Sequence, residues 1–506
     1  MSLEISKAID LLKEHDLLVS SKILDKDLFV TNISYNSRED QNNGIFFCKG
    51  NNFKSEYLEQ AIDAGAAIYV AEKEFDSNIS NIIVRDVQKA LSLLSAAFYG
   101  NPERELFIIA FTGTKGKTTT SYFIHNILDK VYPGKVALFS TVDRITGPKP
   151  EDKFKSDLTT PESMELFRDM RHAVDSGMTK LVMEVSSQAY KKNRVYGLKF
   201  DIGGFLNITP DHIGENEHPT YADYLYCKKQ LLINSKVNII NAQTNDFDTV
   251  IDAARQTSDD KDIYLFGRDS KDSDISLSSK EATLSDSVFD ISSITQKGKS
   301  LDVDGEYKLG VVGDFNEMNA TAAIIASKLA GGDNKDIVEG LSTARVPGRM
   351  EHINTVSHGT IFVDYAHNYA SMKALLGFLR TEYPKSKIKV VVGSPGNKGV
   401  SRRAGFAKVL TDLADSAILT TDDPGFEDPA DICKQIDEGI DHSKVEVETI
   451  IDRPAAIRKM IETSGGDDIV VLAAKGDDPY QKTNGVDVPY PSDPVVARKI
   501  LKDIEG

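Results

Sequence analysis

The stretch Phe107-Ile-Ile-Ala-Phe-Thr-Gly-Thr-Lys-Gly-Lys-Thr-Thr-Thr120 runs a buried apolar strand straight into a loop of glycine, lysine and threonine. Strand, loop and helix in that order are what a phosphate-binding turn requires. Gly113 and Gly116 let the backbone approach a polyanion, Lys117 can neutralise phosphate oxygens, and the Thr118 hydroxyl suits a Mg²⁺ position. An apolar helix predicted from Ser121 to Leu128 would turn its positive dipole end toward the phosphates. A glycine turn beside an idle surface lysine is the bland alternative, and the order of the elements argues against it. The spacing is shortened, because a standard loop has Gly or Ala where Phe111 stands here.

Outward from this loop, strands alternate with helices: Val136 to Ser140, Lys180 to Val185, Asp201 to Leu206 and Val237 to Asn241. That alternation predicts an α/β fold with a mostly parallel sheet covered on both faces. The Ser/Asp/Lys-rich region Thr257 to Lys308 reads as a small antiparallel β extension, with a solvated loop as the other reading. Upstream, residues 1 to about 106 read as a small α/β unit. It comprises a helix Ile5 to Glu14, a strand at Gly44 to Cys48, an Ala-rich helix Ser55 to Ala64, and a strand-helix pair Ile82 to Val84 and Val87 to Tyr99. Asn101-Pro102 then breaks the chain.

A third unit begins near Pro347-Gly348-Arg349. Its strands Thr360 to Val363, Ile388 to Val392, Ser416 to Thr420 and Asp468 to Leu472 each run into a polar segment. These are Asp364-Tyr-Ala-His-Asn368, Gly393-Ser-Pro-Gly-Asn-Lys-Gly399, Asp422-Asp-Pro-Gly425 and Lys475-Gly-Asp-Asp-Pro-Tyr-Gln481. Such loops gather at the carboxyl edge of an open α/β sheet, where ligands bind. Two loaded edges suggest a cleft between domains. The expected boundaries are 1–106, 107–345 and 346–506.

Length agrees with about three domains, since 506 residues exceed one ordinary core. A formal charge of −17 argues against a general binder of nucleic acid or anionic membrane. Cys48, Cys227 and Cys433 are far apart without metal-ligand spacing, so they read as small buried residues in a reducing compartment. The N-terminus carries acidic residues and no apolar run of spanning length follows, which points to a cytoplasmic protein.

Strand Lys180-Leu-Val-Met-Glu184 mirrors the phosphate-loop strand and offers Glu184 as a Mg²⁺ ligand, against the alternatives of a cap or a structural ion pair. His212, in Asn207-Ile-Thr-Pro-Asp-His-Ile213, reads equally as a metal or phosphate contact and as a turn histidine. Spacing alone assigns no function to Lys228 or Lys229.

Taken together, Thr112-Gly-Thr-Lys-Gly-Lys-Thr-Thr119, Thr159-Thr-Pro-Glu162, Glu184-Val-Ser-Ser187, Asn207 to His212, Val346-Pro-Gly-Arg-Met-Glu351, Asp364-Tyr-Ala-His367 and Lys475 to Gln481 resemble the Mur ligases, in particular the branch that adds the third peptide residue of the peptidoglycan precursor. The segments span nearly the whole chain in the family's order. The resemblance implies a UDP-substrate domain, a central ATPase sheet of P-loop type and a C-terminal Rossmann-like amino-acid domain. It further implies a cytoplasmic, monomeric ligase using ATP and Mg²⁺ to join a diamino acid to UDP-MurNAc-L-Ala-D-Glu through an acyl phosphate. ATP would meet Gly113, Thr114, Lys115, Gly116, Lys117, Thr118 and Thr119, with Lys115 replacing the family's usual asparagine. Asn316 and Asn319 resemble its adenine-side residues, Arg349 the inter-domain arginine at the ATP phosphates, and Asp364 and His367 the nucleoside contacts from the third domain. Metal would be held by Thr118, Glu184, His212 and a carbamylated lysine; Tyr224, four residues earlier, selects Lys228, while Lys229 stays open. Ser37, Thr159, Thr160, Ser186 and Arg194 match the family's contacts to the UDP-substrate.

For the amino acid, the resemblance points to Asp422, Asp423, Pro424, Gly425 and Asp478, with Lys398 and Arg402 for its α-carboxylate. The family's loop is usually Asp-Asn-Pro-Arg when the substrate is meso-diaminopimelate. Gly425 removes that cation and Asp423 adds a carboxylate, so the pocket should prefer a terminal ammonium. L-lysine is expected, with ornithine and meso-diaminopimelate as competitors. A folylpolyglutamate-synthase-like ligase and an inactive nucleotide-gated binding protein are the more distant alternatives.

Overall fold

The structure is a computed structural model describing residues 1–506 other than 26, 51, 215–216, 283–285, 312, 349, 398 and 506, and the side chains of 282, 370 and 401. Among the described residues there are sheets of five, eleven and six strands and two two-stranded ribbons. The chain divides into two compact units. One comprises 1–281, 288–309 and 314–344, and the other 282–287, 310–313 and 345–506.

In the first unit the phosphate-loop strand Phe107–Thr112 lies inside the eleven-stranded sheet, between Lys180–Glu184 and Phe200–Phe205, parallel to both. Ile108, Ile109 and Phe111 are completely buried, and removing each such large apolar side chain from water contributes ~1.5–3 kcal/mol. The chain goes first to one side of this strand, to Val136–Phe139 and back to Lys180–Glu184, and then to the other, to Phe200–Phe205 and Ser235–Asn241. Loops following strands on the two sides therefore diverge at Thr112, which opens the edge of the sheet there.

The region 257–308 differs in its first two strands from the antiparallel extension expected. Ile263–Arg268 joins the main sheet parallel to Ser235–Asn241, after the crossover helix Phe247–Ala254, and Ile275–Ala282 continues it in parallel. Ser287–Ser293 and Gly305–Leu309 complete that edge. A helical crossover favours parallel pairing, whereas the alternation of Val288-Phe-Asp-Ile291 reports only which face is buried.

The five-stranded sheet contains the strand Ala66–Ala71, just past the expected helix Ser55 to Ala64, in a stretch for which no element is expected from the sequence. A short apolar run has no period that tells strand from helix. This sheet shares its core with the rest of the unit, since Met164 packs among Leu91, Leu94 and Phe98.

In the second unit the six-stranded sheet runs Glu351–Asn354, Thr360–Asp364, Ile469–Ala473, Ile388–Val392, Ser416–Leu419 and Glu446–Thr449. Pairing is parallel except at Glu351–Asn354. The last strand to form in sequence, Ile469–Ala473, inserts between the first two parallel ones. The segment after it thus lies beside those after Asp364 and Val392. No helix of the described residues is long and apolar enough to cross a membrane.

Candidate active site

The helix after the phosphate loop spans Lys117–Val131, four residues earlier than predicted, so Lys117, Thr118 and Thr119 form its first turn. Gly116 caps it at φ +87°, and a Cβ there would lie 2.3 Å from Asn319 Oδ1. Only glycine meets both demands. Asn319 and Asn316 are buried on the helix Asp314–Leu329, so Asn319 packs directly on the loop. Asn207 braces the other side: its carbonyl accepts from Thr114 N at 3.0 Å, and its side chain accepts from Lys115 N at 2.9 Å and donates to Lys115 O at 3.1 Å.

Two lysine side chains meet at one carbonyl. Lys117 Nζ donates to Gly113 O at 2.8 Å and Lys228 Nζ donates to the same oxygen at 2.7 Å. Lys228 is 2% exposed. Burial and then the Lys117 charge push its pKa well below the ordinary lysine value, against the weaker pull of Asp211 and Cys227. Lys229 is only half-buried. Tyr224, one turn before Lys228, joins its hydroxyl to Thr114 Oγ1 at 3.0 Å and sets its ring 4.8 Å from Lys228 Nζ.

Glu184 ends its strand fully buried, and accepts from Thr141 N at 2.7 Å and Thr141 Oγ1 at 3.0 Å. Thr141 Oγ1 also lies 3.1 Å from Thr159 Oγ1. Thr160 donates to Glu184 O at 3.0 Å and accepts from Ser186 N at 3.0 Å, and Ser186 caps the next helix through Ala189 N at 3.2 Å. His212 has left-handed backbone (φ 54°), and its Nδ1 is 2.7 Å from Glu217 Oε1. The Thr118 hydroxyl, the Glu184 carboxylate and a Thr112 Oγ1 that is buried without a hydrogen-bond partner are hard oxygen donors suited to Mg²⁺. Lys228 as a free amine fits no such set; as a carbamate it would add oxygen donors.

Among the residues expected to meet the UDP-substrate, Arg194 is held by Glu162, with Nε at 2.8 Å and Nη2 at 2.7 Å from Oε1. Lys49 grips the other oxygen at 2.6 Å and lies 3.9 Å from the centre of the Tyr35 ring. Burial raises the Glu162 pKa, but Lys49 and Arg194 outweigh it and hold the carboxyl below its ordinary value. Ser37 Oγ donates to Gln60 Oε1 at 2.9 Å, within the five-stranded unit.

In the second unit a pocket of about 350 Å³, counting its mouth, is lined by Tyr365, His367, Pro395, Arg402, Asp422, Asp423, Ala474, Lys475 and Asp478. It brings Asp422, Asp423, Asp478 and Arg402 together, and adds His367, which was expected at the nucleoside. Asp364 instead accepts from Met350 N at 2.8 Å. Lys475, 1% exposed, lies 2.6 Å from Asp423 Oδ1, 3.4 Å from Asp478 Oδ2 and 3.6 Å from Asp422 Oδ1. Gly425 has φ +61° and a Cβ there would meet Asn397 Oδ1 at 2.4 Å, so its backbone, beyond the lack of a charge, demands glycine. Pro424 packs its carbonyl on Gly396, where a Cβ would lie 1.9 Å away. Arg349 and Lys398 lie outside the described residues.

Several contributors carried no strong sequence signal. Thr141 is uncharged and outside every motif. His218, fully buried, bridges Asp223 Oδ2 at 2.6 Å and Ser187 Oγ at 2.9 Å, tying the Lys228 helix to the segment after Glu184. Ligand atoms of His218, Asp223 and Cys227 lie within 4.8 Å of one another, but both ring nitrogens of His218 are already used. Glu162 and Lys475 stand inside quoted motifs, yet Lys49 and Arg194 are distant in sequence from the one, and Asp422 and Asp423 from the other.

A phosphate loop at the diverging edge of a parallel sheet, with two lysines on one loop carbonyl, defines an α/β enzyme that handles nucleotide phosphates. Residues 111–327 match the Mur ligase middle domain and residues 348–476 the Mur ligase glutamate ligase domain. The chain is 56% identical over 517 residues to the UDP-N-acetylmuramyl-tripeptide synthetase of Limosilactobacillus reuteri, covering all of both chains. It is 46% identical to the UDP-N-acetylmuramoyl-L-alanyl-D-glutamate--L-lysine ligase of Enterococcus faecalis, covering 93% of this chain and 92% of that one. A solved UDP-N-acetylmuramoyl-L-alanyl-D-glutamate--2,6-diaminopimelate ligase matches at TM-score 0.68 and 25% identity over all of both chains. The chain belongs to the Mur ligases, and is an ATP-dependent amide-bond ligase.

Proposed function

We propose that the protein adds L-lysine to UDP-MurNAc-L-Ala-D-Glu in peptidoglycan precursor synthesis, with domains 1–106 for the UDP-substrate, 107–345 for ATP and 346–506 for the amino acid. The observation that carries the choice of lysine is the pocket in which Arg402 shares the lining with Asp422, Asp423 and Asp478. A guanidinium suits the α-carboxylate and the acids suit a distal ammonium, whereas a second carboxylate would be repelled.

A substrate carboxylate oxygen attacks the γ-phosphorus of ATP, and ADP leaves. The lysine α-amine then attacks the acyl phosphate carbon, loses a proton, and the tetrahedral intermediate collapses with release of phosphate. Lys117 would offset charge on the transferring phosphoryl group, and Thr118, Glu184, His212 and carbamylated Lys228 would hold Mg²⁺, which supplies further charge neutralisation there. The depressed basicity of Lys228 supports carbamylation, because only the neutral amine adds to CO₂. Arg349 is assigned to the ATP phosphates and Lys398 to the amino acid by resemblance. Three buried free cysteines support a reducing compartment, so the enzyme is read as cytoplasmic; that it is a monomer is carried over from the resemblance alone.

The test is phosphate release with Mg²⁺, ATP and UDP-MurNAc-L-Ala-D-Glu, run side by side with L-lysine, ornithine and meso-diaminopimelate. L-lysine is expected to turn over fastest. Faster turnover with meso-diaminopimelate removes the pocket reading, and no release with any of the three removes the ligase reading.

A further inference from the structure

Lysine and ornithine carry the same charged groups and differ by one methylene, so charge alone does not separate them. What separates them is the spacing between the group that holds the α-carboxylate and the groups that hold the distal ammonium. In this pocket those groups stand on two segments. Arg402 lies in the first turn of the helix Ser401–Leu413, after strand Ile388–Val392, and Asp422 and Asp423 follow the neighbouring parallel strand Ser416–Leu419. Next to Arg402, Arg403 is buried outside the pocket lining. Its Nη2 donates to Glu427 Oε2 at 2.9 Å and Oε1 at 3.1 Å and reaches Pro395 O at 3.4 Å, while Nη1 donates to Gln435 Oε1 at 2.7 Å. Glu427 also accepts from Asn397 N. That bond does most to hold the Glu427 carboxyl below its ordinary pKa, and Arg403 adds to it against the opposing effect of burial. Around this pair, Gly396 N donates to Asp423 O at 2.9 Å and Phe426 N donates to Asn397 Oδ1 at 2.6 Å. Arg402 is seated by the same segment, since its N donates to Gly399 O at 2.8 Å and a Cβ on Gly399 would lie 2.8 Å from Arg402 Cδ and Nε.

We propose that Arg403 and Glu427 are positioning residues that fix the separation of Arg402 from Asp422 and Asp423, and through it the length of diamino acid that the pocket accepts. A guanidinium that grips both oxygens of one carboxylate, and a carbonyl of the facing segment, sets angle as well as distance. A buried ion pair adds little stability over apolar groups of the same volume, so the effect of this one lies in geometry. One methylene is worth ~10–200-fold in discrimination when the pocket keeps its shape. Once the two segments shift against each other, the pocket closes on either chain length and that discrimination is lost.

The proposal rests on reading this pocket as the amino-acid site. The test is kcat/KM for L-lysine and for ornithine, read as phosphate release with Mg²⁺, ATP and UDP-MurNAc-L-Ala-D-Glu, in wild type and in Glu427→Gln. Wild type is expected to favour lysine ~10-fold or more. Glu427→Gln is expected to lower the ratio of the preferred substrate over the other ~5-fold or more, with KM for ATP and for the UDP-substrate within ~2-fold of wild type. A wild type that uses neither diamino acid overturns the amino-acid reading, and this proposal with it. A wild type that uses both equally overturns the proposal alone. So does a variant whose ratio is unchanged, even where its thermal midpoint falls, and so do equal rises in the KM of every substrate. Should Glu427→Gln fail to fold, Arg403→Lys carries the test. It keeps the charge and loses the two-pronged grip, so the same fall in the ratio is expected, and an unchanged ratio overturns the proposal.

Discussion

At the scale of single residues, two adjacent lysines show what neighbours do to one side-chain type. Lys228 and Lys229 follow each other on one helix, yet only Lys228 turns inward to Gly113 O, where burial and Lys117 disfavour its charge. Lys228→Ala is expected to lower kcat by ~10²-fold or more, as loss of a charge-stabilising group at phosphoryl transfer does. Lys229→Ala should stay within ~3-fold, since surface changes away from the machinery cost little. Phosphate release in saturating ATP measures both, and the reverse order would reassign the lysine. The glycines at 113 and 116 and the charge of Lys117 were legible from the order of strand, loop and helix. The partner of Glu184 was not, because Thr141 has no charge and is distant in sequence, and only the neighbouring strand ends bring it close.

At the scale of elements, strands and their following loops were largely readable, as in Ile388–Val392 and Gly393 to Gly399. The joining of loops was not. Gly425 donates to Lys482 O at 2.9 Å and accepts from Asn484 N at 2.6 Å, so the Asp422 segment is hydrogen-bonded to the hairpin of Tyr480–Thr483 and Val486–Pro489. Charge reasoning alone treats this position as a lost arginine. Its left-handed backbone and contact with Asn397 mean that any side chain carries strain. Gly425→Ala is therefore expected to cost ~1–3 kcal/mol locally, and to raise KM for the diamino acid without touching KM for ATP. Thermal unfolding and steady-state kinetics read the two effects, and unchanged stability would show that the loop relaxes freely. An arginine at 425 would carry the same strain, so charge is better tested at Asp423.

At the scale of the whole molecule, Glu162 connects the residues of the five-stranded unit to the large sheet's loops through Lys49 and Arg194. Its folded-state pKa lies below the ordinary 4.5. Its contribution to stability is thus complete above about pH 4.5 and drains away as pH falls through the depressed folded value. Glu162→Gln is expected to lower the thermal midpoint at neutral pH, with the difference from wild type shrinking below about pH 4.5. A difference independent of pH would mean that shape, not charge, is what Glu162 supplies. By itself the sequence determined the α/β class, the phosphate loop and the resemblance to the Mur ligases, because strand periods, glycine spacing and ordered motifs are local properties. Tertiary structure alone decided that Lys475 stands beside Asp422 and Asp423, that Lys228 shares a carbonyl with Lys117, and that Ile263–Arg268 pairs in parallel with Ser235–Asn241. Each joins groups far apart along the chain, and burial and Coulomb energies depend on distance in space.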